Sequence, residues 1–186
     1  MTDVHFFHGA GEGAFAADAP LAESLAEHLG SGFRIQMPRL PEEDGPGDEL
    51  WIAAIREAID QASSPAVVVG HSAGGYLLVK CLATRSFTTR VEGICLIAAP
   101  FPGGTPEWSF EGFDLPSDLD RRLPAGATVL LYASADDETV PFSHRDRYAA
   151  AIPSAITRAT TGGHQLSDGL AAVAADIRDL VYRADR

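Results

Sequence analysis

Residues 66–78 read Ala-Val-Val-Val-Gly-His-Ser-Ala-Gly-Gly-Tyr-Leu-Leu. The run 66–69 is continuously apolar and mostly β-branched, the pattern of a strand covered on both faces. From about Ser72 onward, Leu78, Cys81 and Leu82 recur at helical spacing. Strand therefore passes into helix through Gly70-His71-Ser72-Ala73-Gly74, a Gly-x-Ser-x-Gly sequence. In that context the turn is sharp and crowded, so small residues are needed two places either side of the serine, and Gly70 and Gly74 supply them. The turn lifts the Ser72 hydroxyl above the sheet and leaves the Ala73 N–H at the helix start, aimed where an oxyanion would form. The plainer alternative is an ordinary strand-to-helix turn that happens to contain a serine.

Outward from this stretch the same alternation repeats. Runs 4–7, 33–37, 91–97, 128–132 and a weaker 155–159 are short, rich in β-branched and aromatic residues and mostly apolar, and read as further strands. A helix should be opened by Asp18, with Pro20 in its first turn and Leu21, Leu25 and Leu29 on one face, and be closed by Gly30. A second spans about 48–62 with Ile52, Ile55 and Ile59 in a stripe, and a last one about 166–183 with Leu170, Val173, Ile177 and Leu180. Repeated strand-helix-strand units imply right-handed crossovers and a three-layer α/β sandwich: about six mostly parallel strands with helices on both faces. Segments 38–47 and 100–126 are rich in Pro and Gly and follow strands, at the sheet end where such folds bind ligands. The chain, 186 residues long, is expected to form one domain over residues 1–186, and 100–126 is too short for a lid domain.

Composition narrows the partners. With 14 basic and 26 acidic residues the formal charge is −12, which argues against nucleic acid and anionic membrane. Cys81 and Cys95 are too few for a disulfide framework, and no zinc-type Cys/His spacing occurs, so no metal is expected. The beginning Met-Thr-Asp-Val-His-Phe-Phe-His-Gly has neither a basic nor a long apolar leader region, and no apolar run approaches about 20 residues, so a cytoplasmic protein is expected.

A serine needs a base to take its proton and a carboxylate to orient that base. After the strand 128–132, the loop Ala-Ser-Ala-Asp-Asp-Glu-Thr-Val-Pro-Phe presents Asp136 and Asp137, one of which is the candidate orienter. After the last strand, Thr-Thr-Gly-Gly-His-Gln-Leu places His164 just before the final helix as the candidate base. Ser, Asp, His is the chain order of the α/β-hydrolases, with each residue just past a strand's C-terminal end. His5, His28, His71 and His144 read as structural. His8 begins a glycine-rich turn after the first strand; it should brace that loop, with the Ala10 N–H as second oxyanion donor.

That turn also fits a rival. Gly9-x-Gly11-x-x-Ala14 matches the loose dinucleotide fingerprint. Against it, the helix signals start only near Asp18, Glu12 would face the phosphates, and the second strand ends without a ribose-binding acid.

Taken together, these blocks resemble the small lidless serine hydrolases of the α/β-hydrolase superfamily typified by retinoblastoma-binding protein nine and its bacterial relatives. The resemblance covers nearly the whole chain: His-Gly-Ala-Gly-Glu-Gly, the segment from Met37 to Trp51, the elbow, the Trp-containing loop, Ala-Ser-Ala-Asp-Asp-Glu-Thr-Val-Pro-Phe and Gly-Gly-His-Gln-Leu. It implies that the orienting acid stands in an Asp-x-x-Val-Pro turn, which selects Asp137, and it matches Ser72 as nucleophile and His164 as base. The expected activity is carboxylesterase-like hydrolysis of an ester, thioester or amide through an acyl-enzyme, without cofactor, with amidase or aminopeptidase chemistry as variants. Trp108, Phe110 and Phe113 are candidates for an acyl pocket. The competing expectation is a hydrolase-fold protein-binding module, in which those aromatics form an exposed interface patch.

Overall fold

A computed structural model of the chain describes residues 1–44, 47–63, 65–103, 106–109 and 111–184. Strand β1 (Thr2–Phe7) leads through a glycine-rich turn into helix α1 (Ala14–Leu29), then β2 (Phe33–Gln36) and α2 (Asp48–Asp60). Next come β3 (Ala66–His71), α3 (Ser72–Thr84) and β4 (Val91–Ile97). A single 3-10 turn (Pro106–Trp108) and a four-residue α4 (Leu119–Arg122) precede β5 (Thr128–Ser134), α5 (Ser143–Ala151), β6 (Ile156–Thr160) and α6 (Ala171–Ala184). The strands form one sheet in the order β2-β1-β3-β4-β5-β6, every neighbouring pair parallel.

Both faces of the sheet are covered, as the continuous apolar runs require. On one face Leu21 and Leu25 of α1 and Val173, Ala174 and Ile177 of α6 close over Val4, Phe6, Val67, Val69, Cys95 and Leu130. On the other, Trp51, Ile52, Ile55 and Ile59 of α2, the apolar side of α3, Tyr148 of α5 and Ile152 just after it cover Phe7, Val68, Ile94, Leu96 and Leu131. No helix among the described residues is long and apolar enough to cross a membrane.

Three elements differ from the sequence expectation. Helix α1 begins at Ala14, so Asp18 and Pro20 lie inside it; Asp18 is buried and serves residues remote in sequence. The last helix begins at Ala171, because residues 161–170 are taken up by turns in which Gly162, Gly163, Leu166 and Gly169 all have positive φ. Helix α5 is an element that no apolar pattern marks, since its polar sequence Ser-His-Arg-Asp-Arg-Tyr-Ala-Ala-Ala buries just His144 and Tyr148 and has no apolar stripe.

Candidate active site

Ser72 opens α3 directly from the end of β3, with φ 52°. A residue with a Cβ rarely adopts this left-handed conformation, which costs about 1–3 kcal/mol and persists only where the surroundings enforce it. Here the enforcing contact is backbone against backbone. A Cβ on Gly74 would stand 2.2 Å from the His8 carbonyl oxygen, and one on Gly70 would stand 2.5 Å from Gly75 Cα. The glycines let the start of α3 press against the end of β1, and so fix Ser72 beside the turn after that strand.

His164, in the loop after β6, brings Nε2 to 3.0 Å from Ser72 Oγ. Its Nδ1 lies 2.9 Å from Asp137 Oδ2. Asp137 follows β5 with its side chain only 1% exposed, against 16% for His164. The other oxygen, Oδ1, accepts the N–H groups of Thr139 (2.7 Å) and Val140 (2.9 Å), which orients the carboxylate from within its own turn. The carboxylate selects Nδ1 as the hydrogen-bearing nitrogen, so the Nε2 lone pair faces the serine hydroxyl. Asp136 is exposed and makes no side-chain hydrogen bond to His164. The three side chains thus come from the ends of β3, β5 and β6 to one spot.

Gly9 N–H donates to Asp18 Oδ2 at 2.8 Å and Gly11 N–H to the Glu43 carbonyl at 2.6 Å. Among the described residues, neither Ala10 N–H nor Ala73 N–H has an acceptor. Ala10 is exposed and Ala73 half-buried, as is Ser72. The committed Gly9 and Gly11 amides, with the Asp18 carboxylate set against them, also leave no anion cradle for a dinucleotide. The start of α1 at Ala14 does not restore one.

His8 is buried and neutral: its Nε2 accepts the Leu40 N–H at 2.9 Å while Nδ1 faces the Gly9 carbonyl at 2.8 Å, and burial pushes its pKa below the ordinary histidine value. It ties the loop after β1 to the loop after β2. Glu43 adds to that clasp through Phe15 N–H (2.9 Å), and Trp51 donates its indole N–H to the Pro41 carbonyl at 2.6 Å.

His71, expected to be merely structural, makes two polar contacts of consequence. Its Nδ1 is 2.7 Å from Asp18 Oδ2, and its Nε2 is 2.9 Å from the backbone carbonyl oxygen of His164. Neither Asp18 nor His71 carried a sequence signal for this, because 53 residues separate them.

Of the three aromatics, Phe110 lies outside the described residues. Phe113 is buried, its ring 4.5 Å from Tyr76 and 6.1 Å from Trp108, so it packs onto α3 and does not stand exposed as an interface patch requires. Trp108 is half-buried with its ring 5.1 Å from His144. Lys80, the only lysine, pins this loop by reaching Asp48 (2.8 Å), Asp114 (2.9 Å) and the Gly112 carbonyl (2.7 Å). Among the described residues no group of three or more His, Cys, Asp or Glu is arranged to hold a metal ion.

The sequence matches the family described as "Serine hydrolase" over residues 22–172. The chain belongs to that family. As a serine hydrolase it also has structural neighbours of matching size. The ydeN gene product from B. subtilis superimposes with a TM-score of 0.78 at 20% identity, covering 98% of this chain and 100% of that one. The esterase domain of a Rhodothermus marinus protein gives 0.66 at 19% identity, covering 95% and 84%. An esterase from Exiguobacterium antarcticum gives 0.69 at 15% identity, covering 98% and 92%. None of the curated proteins matches in sequence. At such identities the neighbours establish the fold, which is that of the α/β-hydrolases.

Proposed function

We propose that this serine hydrolase works by covalent acyl transfer at Ser72. The observation that carries the reading is the continuous hydrogen-bonded chain from Asp137 Oδ2 through both nitrogens of His164 to Ser72 Oγ, at 2.9 and 3.0 Å. His164 takes the hydroxyl proton as Ser72 attacks a carbonyl carbon, and the resulting imidazolium is stabilised by Asp137. The developing oxyanion is received by the unengaged Ala73 and Ala10 N–H groups; each such donor is worth roughly 3 kcal/mol where it acts. His164 returns the proton to the leaving group, and the same base then activates water to release the acyl group. No step calls on a metal or organic cofactor.

Esters are the first substrates to try, since two structural neighbours are named esterases; thioesters and amides follow by the same chemistry. Ser72 and His164 are only partly buried and so reachable from solvent, which favours a small or extended acyl substrate that needs no lid. Ser72→Ala should leave the fold intact while abolishing turnover of p-nitrophenyl acetate and labelling by a fluorophosphonate probe. Retained labelling would move the nucleophile elsewhere. A folded wild type that neither labels nor turns over would instead favour a non-catalytic binding module.

A further inference from the structure

Behind the proposed nucleophile and base lies a second, fully buried pair. The side chains of His71 and Asp18 are 1% and 2% exposed, and the His71 ring sits 4.9 Å from that of His164, centroid to centroid. Both His71 nitrogens face oxygen acceptors, one a carboxylate and one a backbone carbonyl. Whichever nitrogen carries the hydrogen, the ring bridges the His164 backbone and the Asp18 carboxylate. The carboxyl of Asp18 responds to this contact. Burial pushes its carboxyl up, yet the hydrogen bond and charge of His71, with the Gly9 N–H, hold it below the ordinary carboxylate range.

What the pair touches gives it meaning. One oxygen, Asp18 Oδ2, receives both the Gly9 N–H and His71 Nδ1. Gly9 immediately precedes Ala10, and a Cβ on Gly9 would lie 3.3 Å from Ser72 Cβ, so its amide fixes the turn against the nucleophile. At the other end His71 grips the backbone of His164 itself. His71 is also the residue directly before Ser72. The turn after β1, the elbow and the base loop are therefore joined through two side chains.

We infer that Asp18 and His71 are positioning residues for the hydrolytic reaction, holding the base through the His164 carbonyl and the oxyanion-side turn through the Gly9 N–H. This rests on the acyl-transfer reading above. The pair touches no substrate; it acts by keeping donor, nucleophile and base in register, where a displacement of about 1 Å costs on the order of 100-fold in rate. A pair that served stability alone would lower the fraction of folded protein and leave each folded molecule as active as before.

The two arms are separable. His71→Asn places an amide nitrogen near the Nδ1 position, keeping the donor to Asp18 while losing the grip on His164. Asp18→Ala releases both arms. Wild type, each variant and the double variant are titrated with a fluorophosphonate probe, checked by near-UV circular dichroism, and assayed on p-nitrophenyl acetate per titrated site. Expected is a fall in kcat of about tenfold for His71→Asn and about 100-fold for Asp18→Ala, with KM within about twofold of wild type. The double variant should be no worse than Asp18→Ala, because residues acting as a unit are not additive. Wild-type kcat per titrated site in folded His71→Asn, or losses that multiply in the double variant, would overturn the positioning role and leave the Ser72 chemistry standing. If Asp18→Ala does not fold, His71→Asn decides alone. A wild type that neither labels nor turns over overturns both.

Discussion

Asp137 presents one oxygen to His164 Nδ1 at 2.9 Å, while its other oxygen is already occupied by the amides of Thr139 and Val140. The consequence is directional. In Asp137→Asn, the carbonyl oxygen must stay with those two amides, which turns the NH2 group toward His164. The ring then has to accept at Nδ1 and carry its hydrogen on Nε2, facing Ser72 with a donor where a base is needed. Turnover of p-nitrophenyl acetate should fall by about 10³- to 10⁴-fold with the melting temperature little changed. Asp136→Asn, one residue earlier and exposed, should fall less than about threefold; the reverse ranking would transfer the orienting role to Asp136.

Packing at the elbow predicts an equally specific stability effect. A methyl group at Gly74 meets two backbone carbonyls, those of His8 at 2.2 Å and Phe7 at 2.6 Å, and neither can swing aside as a side chain would. Gly74→Ala should therefore destabilise by about 2–3 kcal/mol in urea unfolding. Gly32→Ala, where nothing lies within 4 Å of the added carbon, should stay within about 0.5 kcal/mol. Equal midpoints for the two variants would show that β1 and α3 are not in this close contact.

Much of this arrangement was legible beforehand, and the parts that were not share a cause. Strand β3 announces itself because its run 66–69, buried on both faces, is apolar at every position, and the elbow because only glycine fits two places to either side of Ser72. Asp18 misled for the opposite reason. An acid shortly before a proline resembles a helix start, yet its carboxylate is spent on Gly9 and His71, a long-range pairing that no local pattern encodes. Helix α5 was obscure because its burial falls on one histidine and one tyrosine; His144 takes the Phe101 N–H on Nδ1 (2.8 Å) and Tyr148 donates to the Pro100 carbonyl (2.9 Å).

Acid stability should report the Asp3–Arg34 pair, which joins β1 to β2 through bonds of 2.6 and 2.7 Å. The Arg34 guanidinium, aided by Ser63, holds the Asp3 carboxyl down at about 2 despite burial. A lowered carboxylate pKa adds stability above the unfolded value near 4, and that stability is lost as pH falls toward 2. Arg34 is half-exposed, so screening reduces the effect to about 1 kcal/mol. Asp3→Asn should be less stable than wild type at pH 7, and the gap should narrow between pH 4 and pH 2 in urea titrations. A gap independent of pH would mean that the carboxylate charge contributes nothing.

Removing His5 should have the opposite effect on stability at neutral pH. It lies buried in the middle of β1 with its ring stacked 6.4 Å from Phe7, and neither ring nitrogen has a hydrogen-bond partner among the described residues. An unpaired buried polar group costs about 1–3 kcal/mol, so His5→Leu, close in volume and apolar, should raise stability by about 1–2 kcal/mol at pH 7.5. Burial pushes the His5 pKa below the ordinary histidine value of 6.5. The unfolded chain therefore binds a proton that the folded chain refuses, and wild type loses stability as pH drops below about 6.5. His8 and His144 titrate alike in both proteins and cancel in the comparison. The advantage of His5→Leu should accordingly widen between pH 6.5 and pH 5 in urea unfolding, and a destabilised variant at pH 7.5 would mean that the histidine is paired in solution after all.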